Sequence, residues 1–283
     1  MPKIIHLSDL HFGAHDPVIV SAVEQRLDHE QAELVVISGD FTQRAKTEQF
    51  KEAAEFVERV RGAGHEVLAV PGNHDVPLYD LFRRFLSPLT RYKKFIDDEL
   101  CPFIQIDGAA VLGINTARSL TFKNGHVSHE QMDHIRETFA ATNVDQPRIL
   151  VTHHPLFALP VGDGPRLGHQ MDHQDDALTA IAAAGVDLLL AGHHHRASIN
   201  DASALATGAG KALVIQAGTA TSIRVRGEEQ SFNRIEIDQK GIRVTVQRWT
   251  GSEFQSGDSQ FFQRHGDHWE MAGGEIVEAA PTA

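Results

Sequence analysis

Five short apolar runs, each followed within two or three residues by side chains of the kind that bind metals, constrain this chain more than anything else in it. Ile4 to Leu7 leads to Asp9-Leu10-His11, and Leu34 to Ile37 leads to Gly39-Asp40. Glu66-Val67-Leu68-Ala69-Val70 leads to Pro71-Gly72-Asn73-His74-Asp75. Arg148 to Thr152 ends at His153-His154-Pro155, and Val186 to Leu190 ends at Gly192-His193-His194-His195. Apolar runs without alternation read as parallel strands covered on both faces. Open α/β sheets place their ligand sites at the carboxyl ends of such strands.

The stretches between the runs support this reading. A helical pattern covers about Pro17 to Glu30, and a clearer one repeats Phe50, Ala53, Ala54, Val57 and Val60 before Gly62 and Gly64. The first 75 residues are therefore a repeated β-α unit. Leu78 to Leu100 reads as one or two helices broken near Pro88, and Phe103 to Ile114 as a hairpin around Asp107-Gly108. Ser128 and Gln131 have capping-box spacing and open a helix to about Ala141, which leaves His129 and His134 as surface residues. A further helix is expected near Asp175 to Ala184. The segment Leu159 to Asp172 is rich in Gly and Pro and reads as a long loop suited to a substrate entrance. After the His triplet the pattern turns to strands alone, Ala212 to Gln216, Asn233 to Asp238 and Ile242 to Arg248, suggesting an antiparallel sheet that closes the fold. We expect one domain over residues 1–250 and a polar extension over 251–283, partly disordered or docked on a partner.

A chain of 283 residues with 41% hydrophobic content can bury a large core. Its 26 basic and 38 acidic residues give a net charge of −12, which argues against gripping a nucleic-acid duplex through its phosphates. Cys101 is the single cysteine, excluding an intramolecular disulfide and a Cys-rich zinc site. No stretch approaches the roughly 18 to 20 apolar residues of a membrane span. The N-terminus runs straight into a strand pattern, so a cytoplasmic protein is expected.

Asp9, His11, Asp40, Asn73, His74, His153, His193, His194 and His195 combine carboxylate, amide and imidazole without thiolate. That mixture suits first-row divalent ions such as manganese, iron, cobalt or zinc better than calcium. There are too many donors for one ion. Two ions need a shared bridging group, and a lone carboxylate at the end of a central strand, Asp40, is well placed for it.

These five blocks, Asp-x-His, Gly-Asp, Gly-Asn-His-Asp, a His and Gly-His-x-His, resemble the calcineurin-like metallophosphoesterase superfamily. They occur in the same order over about two thirds of the chain. The resemblance implies an α/β fold, a four-layer α/β/β/α sandwich of two mixed sheets flanked by helices. It assigns Asp9, His11, Asp40 and His195 to one metal and Asp40, Asn73, His153 and His193 to the other. His74 becomes the catalytic residue over the substrate, with His154 and His194 in the surroundings. The expected reaction is hydrolysis of small phosphodiesters by a hydroxide activated between the ions. His74 would stabilise developing charge or protonate the leaving oxygen.

Within the superfamily, Ser8-Asp9-Leu10-His11-Phe12-Gly13 and the short His153-His154-Pro155 block look like the bacterial class III cyclic nucleotide phosphodiesterase group, which includes glycerophosphodiesterases. Gln43 stands where the protein phosphatases carry an Asp that orients the catalytic His, which counts against a phosphoprotein phosphatase and leaves Asp75 as one candidate partner of His74. Arg44, Asn115, Arg166 and the Gly162 to Gly168 loop are candidate pocket walls. The rival readings are a phosphomonoesterase or pyrophosphohydrolase on the same site, a DNA exonuclease, which the charge opposes, and a non-enzymatic metal-binding scaffold. The pattern leaves room for a homo-oligomer.

Overall fold

Strands β1 (Lys3–Leu7), β2 (Leu34–Ser38) and β3 (Glu66–Val70) lie side by side and parallel, with Ile5 opposite Val35 and Val35 opposite Val67. The structure, a computed structural model, describes residues 2–78, 80–119, 125–143, 145–156, 159–161, 164–167, 174–202, 210–225, 227–266 and 268–275. Two helices return the chain between these strands. The first, α1 (Pro17–Glu30), starts where the Asp16 carboxylate accepts from the Val18 amide at 2.9 Å, with Pro17 already holding a helical φ. The second, α2 (Thr47–Gly62), buries Phe50, Ala53, Phe56, Val57 and Val60 along one stripe.

β1 also pairs antiparallel with β12 (Ser231–Asp238), which continues through β13 (Gly241–Trp249), β14 (Phe254–His265) and β15 (His268–Glu275). Together they form a seven-stranded sheet in the order β15-β14-β13-β12-β1-β2-β3. A second sheet has the order β10-β11-β9-β6-β5-β4. It consists of β4 (Phe103–Ile106), β5 (Ala109–Gly113), β6 (Arg148–Val151), β9 (Leu188–Ala191), β10 (Ser198–Asp201) and β11 (Leu213–Gln216), and its four inner strands are mutually parallel.

Alternation along the strands makes three separate cores. Ile5, Leu7, Val35 and Ile37 face α1 and α2. Ile4, Leu34 and Val36 face the other sheet and meet Val111, Ile149, Val151, Leu188 and Leu190. On the far side Ala110, Leu112, Leu150 and Leu189 pack under α5 (His129–Ala140) and α6 (Gln174–Ala183). Three cores between four layers are the expected α/β/β/α sandwich. The capping box that opens α5 is formed, with Ser128 Oγ accepting from the Gln131 amide at 3.3 Å and Gln131 Oε1 from the Ser128 amide at 2.9 Å.

Three expectations need correction. Much of the segment after residue 250 is ordered within the first sheet, to which β14 and β15 add two strands, while residues 267 and 276–283 lie outside the described residues. The late strands do not form one closing sheet, because β11 crosses to the second sheet and lies parallel to β9. The expected entrance loop contains a short hairpin, β7 (Leu159–Val161) with β8 (Gly164–Leu167). Residues 162, 163 and 168–173, with the Arg166 side chain, lie outside the described residues. Between α2 and β4 the chain makes two single-turn helices, α3 (Leu81–Leu86) and α4 (Thr90–Phe95), on either side of Pro88. Among the described residues no helix is long and apolar enough to cross a membrane.

Candidate metal centre

The carboxyl ends of β1, β2, β3, β6 and β9 meet at one edge of the sandwich, and backbone bonds continue past the strands to hold them there. The Asp9 amide donates to the Gly39 carbonyl at 3.1 Å, the His11 amide to that of Asp40 at 2.9 Å and the Gly192 amide to that of His153 at 3.1 Å. Seven non-glycine residues have positive φ, and five of them are Asp9, His11, Asp40, His193 and His195. Such conformations cost about 1–3 kcal/mol each and persist only when the surroundings over-determine them. Five together rival the whole net stability of a domain, about 5–15 kcal/mol, so the strain marks a place shaped for something other than folding.

The donors fall into two groups that meet at Asp40. In one, His195 Nε2 lies 3.1 Å from Asp9 Oδ1 and 3.1 Å from His11 Nε2, which is 3.7 Å from Asp40 Oδ2. In the other, His153 Nε2 and His193 Nδ1 each lie 3.0 Å from Asn73 Oδ1, and His153 Nε2 is 3.4 Å from Asp40 Oδ1. The two oxygens of one carboxylate thus face different groups.

Tautomers show what these nitrogens present. His153 Nδ1–H donates to the Ser38 carbonyl at 2.8 Å and His195 Nδ1–H to the Arg224 carbonyl at 3.0 Å. With Nδ1 so occupied, Nε2 of each ring is the nitrogen turned inward, the arrangement in which a carbonyl behind the ring orients a ligand histidine. A lone pair on His153 facing the Asn73 carbonyl oxygen, and another on His195 beside Asp9, are acceptors against acceptors. Such contacts are stable with a cation between them. Among the described residues Asp9 Oδ1 and His11 Nδ1 are buried without a hydrogen-bond partner, a cost that a ligated ion removes on the Asp9 side.

Electrostatics point the same way. Burial alone would raise the Asp9 carboxyl, but His195, His11 and His153 hold it well below the usual carboxylate range. Burial opposes ionisation of Asp40 too, and His153, His74 and His11 bring it down. Burial pushes His11 down and His193 down to about 3, so those imidazoles are neutral. Two carboxylates buried this deeply need cationic partners. The donor set therefore fits two divalent ions, one toward Asp9, His11, Asp40 and His195, the other toward Asp40, Asn73, His153 and His193.

Glycines make close approaches at the site possible, within the first sheet and between the two sheets. A Cβ on Gly72 would lie 2.2 Å from Asp40 Oδ1 and 2.3 Å from its amide nitrogen. One on Gly39, whose φ is +87°, would lie 2.6 Å from His153 Nδ1.

His74 sits half-buried beside the two groups, its ring edge-on to that of His11 at 4.9 Å. Its amide donates to Asp40 Oδ1 at 2.8 Å, and its Nδ1–H to the Gln43 carbonyl at 2.8 Å. Asp75, considered above as its partner, turns the other way. The Asp75 carboxylate accepts from the amides of Phe41 (3.2 Å), Thr42 (2.9 Å) and Gly72 (2.9 Å) and from Thr42 Oγ1 (3.1 Å), clamping the loop after Asp40. Burial and the Asp40 charge raise its carboxyl to about 6 against the pull of these donors. Asp75→Ala would leave three amide donors without this acceptor. At about 1–3 kcal/mol per orphaned donor, a loss of several kcal/mol is expected in urea unfolding, far more than a surface aspartate contributes.

The remaining candidates divide. His154 Nδ1 pairs with Thr116 Oγ1 at 2.9 Å, and its buried ring, kept neutral by burial and by His153, lies 4.8 Å from that of His193. His194 lies behind His193, ring centres 5.2 Å apart. Arg44 lines a cleft of about 620 Å³ with Gln43 and His74. Asn115 does not join them: its side chain caps a turn at the Ala117 amide at 2.9 Å and borders a separate cavity. Sequence reasoning missed the supports of the site. Ser8 Oγ donates to Asp9 Oδ2 at 2.6 Å, Thr219 Oγ1 to the Asp9 carbonyl at 2.7 Å, and His6 Nε2 pairs with Ser38 Oγ at 2.8 Å. Of these only Ser8, adjacent to a ligand-type residue, carried a local signal.

The sequence pattern of the calcineurin-like phosphoesterases matches residues 2–197. Among curated proteins, the DNA double-strand break repair protein Mre11 of Aeropyrum pernix is 34% identical over 90 residues, 27% of this chain and 22% of that protein. The chain thus aligns with less than a quarter of that relative's length. The fold is similar to that of a dimetal phosphatase from Danio rerio, with a TM-score of 0.62 and 11% identity over 90% of this chain and 98% of that one. It is also similar to a purple acid phosphatase from yellow lupin (Lupinus luteus) seeds, with a TM-score of 0.68 and 12% identity over 90% of this chain and 52% of that one. At these identities the structural likeness speaks for the fold alone, whereas the sequence pattern covers more than two thirds of the chain, and the chain belongs to the calcineurin-like phosphoesterase family.

Proposed function

We propose that this protein is a phosphodiesterase of small molecules that works with two divalent ions drawn from manganese, iron, zinc and cobalt. The observation that carries the reading is Asp40, whose two oxygens face the two donor groups, His11 with Oδ2 and His153 with Oδ1. Two ions bound there would supply Lewis acidity toward the phosphoryl oxygens and the attacking water. The chain supplies the rest. Imidazoles fixed by carbonyls behind them hold the donor geometry without reorganisation. His74 keeps its Nδ1–H on the Gln43 carbonyl whether neutral or protonated, so Nε2 can carry a proton to the leaving oxygen and lose it while the ring stays in place. The cleft beside His74 is lined by Arg44, Lys46 and Arg224, which suit an anionic substrate.

The opening block Ser8 to Gly13 and the short His153-His154-Pro155 block favour substrates such as cyclic nucleotides and glycerophosphodiesters over phosphomonoesters. The partial likeness to Mre11 raises a nuclease reading, which the net charge of −12 opposes. One manganese-loaded preparation assayed on bis-p-nitrophenyl phosphate, p-nitrophenyl phosphate, 3′,5′- and 2′,3′-cyclic AMP and glycerophosphodiesters tests the proposal. Diesters are expected to be cleaved faster than the monoester. A monoester preferred by tenfold or more would replace it with the phosphatase reading.

A further inference from the structure

Among the described residues eight large apolar side chains are exposed, and five of them sit either on α3, which begins three residues past the cleft-lining Leu78, or on either side of the cleft-lining Arg224. Phe82, Phe85 and Leu86, exposed by 75%, 55% and 69%, lie on α3, which follows the His74 turn. Ile223 and Val225, exposed by 60% and 47%, flank Arg224, whose carbonyl holds His195. Ile223 lines the cleft itself, with Val76 and Leu78. Phe85 and Leu86 also line a second, more apolar cavity of about 740 Å³, together with Pro88, Leu89, Leu100 and Ala117. That cavity opens beside Asn115, two residues past the end of β5 and so on the same edge of the sandwich.

Charge follows the same outline. Arg44, Lys46 and Arg224 line the cleft, Lys93 and Arg118 the second cavity, and among the described residues neither is lined by a carboxylate, in a chain of net charge −12. Apolar surface edged with cations around a phosphoester site matches an anionic amphiphile. A second copy of the chain fits poorly, since a two-fold contact would set this cationic rim against itself.

Resting on the phosphodiesterase reading, we propose that the substrate is an amphiphilic phosphodiester bearing an alkyl or acyl chain, whose phosphate enters the cleft while the chain lies along Leu78, Phe85 and Leu86. Each methylene buried there adds to binding at the metal-loaded site. Phe85 and Leu86 are thereby residues that set specificity.

The test is a series of p-nitrophenyl alkyl phosphodiesters from methyl to octyl, below their critical micelle concentrations, on the manganese-loaded protein. It is paired with calorimetry of alkyl methylphosphonates, which report binding without turnover. The octyl-to-methyl ratio of kcat/KM is expected to rise roughly two- to fourfold per methylene, and phosphonate affinity to rise in parallel. Phe85→Ser/Leu86→Ser, and Leu86→Ser alone, should flatten both series; comparing ratios within each variant cancels any loss of active protein. Cleavage of the methyl ester with no dependence on chain length would overturn the amphiphile proposal and leave the phosphodiesterase reading standing. Chain-dependent phosphonate binding without cleavage of any diester would do the reverse. A slope unchanged in both variants would remove Phe85 and Leu86 from the site and overturn the proposal as stated.

Discussion

Asp40→Ala is expected to retain at most one tightly held ion per chain and to lose activity by at least about 10³-fold. The magnitude follows from the several kcal/mol that a metal ion contributes to stabilising charge in a phosphoryl transition state, at about 1.4 kcal/mol per factor of ten. Asp40 reaches both donor groups, being 3.7 Å from His11 Nε2 and 3.4 Å from His153 Nε2. Without it, two dications held side by side lose the anion between them and repel. The alanine also removes the acceptor of the His74 amide, 2.8 Å away, so the turn that presents His74 loses an anchor. Asp40→Asn separates these effects, because its amide oxygen can still accept from that backbone nitrogen while the bridging charge is gone. Metal analysis of both variants alongside rates is the measurement. Two tightly held ions in Asp40→Ala would show that another residue bridges, and Asp9, whose Oδ1 lies 3.1 Å from His195 Nε2, would be the first to examine.

The parts of this architecture that could be read in advance are those where burial leaves a chemical trace. β2 and β9 are buried along their whole length, and such strands must be continuously apolar, so their ends could be located and the ligand-type residues beyond them recognised. β14 left no such trace. Only Phe254 and Phe262 are buried in its twelve residues, because near the sheet's edge both faces are largely open and no alternation is imposed. β10 is an edge strand of four residues, Ser-Ile-Asn-Asp, held by pairing with β11 rather than by packing.

Within the site, the side chains that converge were visible as residue types, but what fixes their tautomers was not. The carbonyls of Ser38, Gln43 and Arg224 aim three of the histidines, and a backbone carbonyl has no residue identity to read. The same holds for Asp75, named above as one candidate partner of His74. It stands next to His74 in sequence, yet consecutive side chains in a tight turn diverge, and its carboxylate meets the amides of Phe41 and Thr42 instead. Gly39 and Gly72 stood in view just past their strands, while the need of Gly72 to admit Asp40 from the neighbouring strand, and of Gly39 to admit His153 from the other sheet, emerges only from the packed structure.

His74→Ala should leave both ions bound and lower turnover by about 10² to 10⁴-fold. Like His153 and His195 it has a backbone partner on Nδ1, but its half-buried ring lines the cleft and lies edge-on to His11. The loss should scale with the leaving group. A nitrophenolate departs without a proton, so its ester needs little help from Nε2, whereas an alkoxide leaving from an alkyl or nucleoside ester needs a proton in the transition state. Rates of His74→Ala on diesters of graded leaving-group pKa, relative to the parent protein, should therefore fall further as the leaving group becomes more basic. His74→Gln sharpens the comparison: it keeps a side-chain hydrogen-bond donor without a titrating ring, and should recover charge stabilisation for the nitrophenyl ester but not proton delivery to the alkyl one. Equal losses across the series would assign His74 to charge stabilisation alone, and loss of an ion from either variant would make it a ligand.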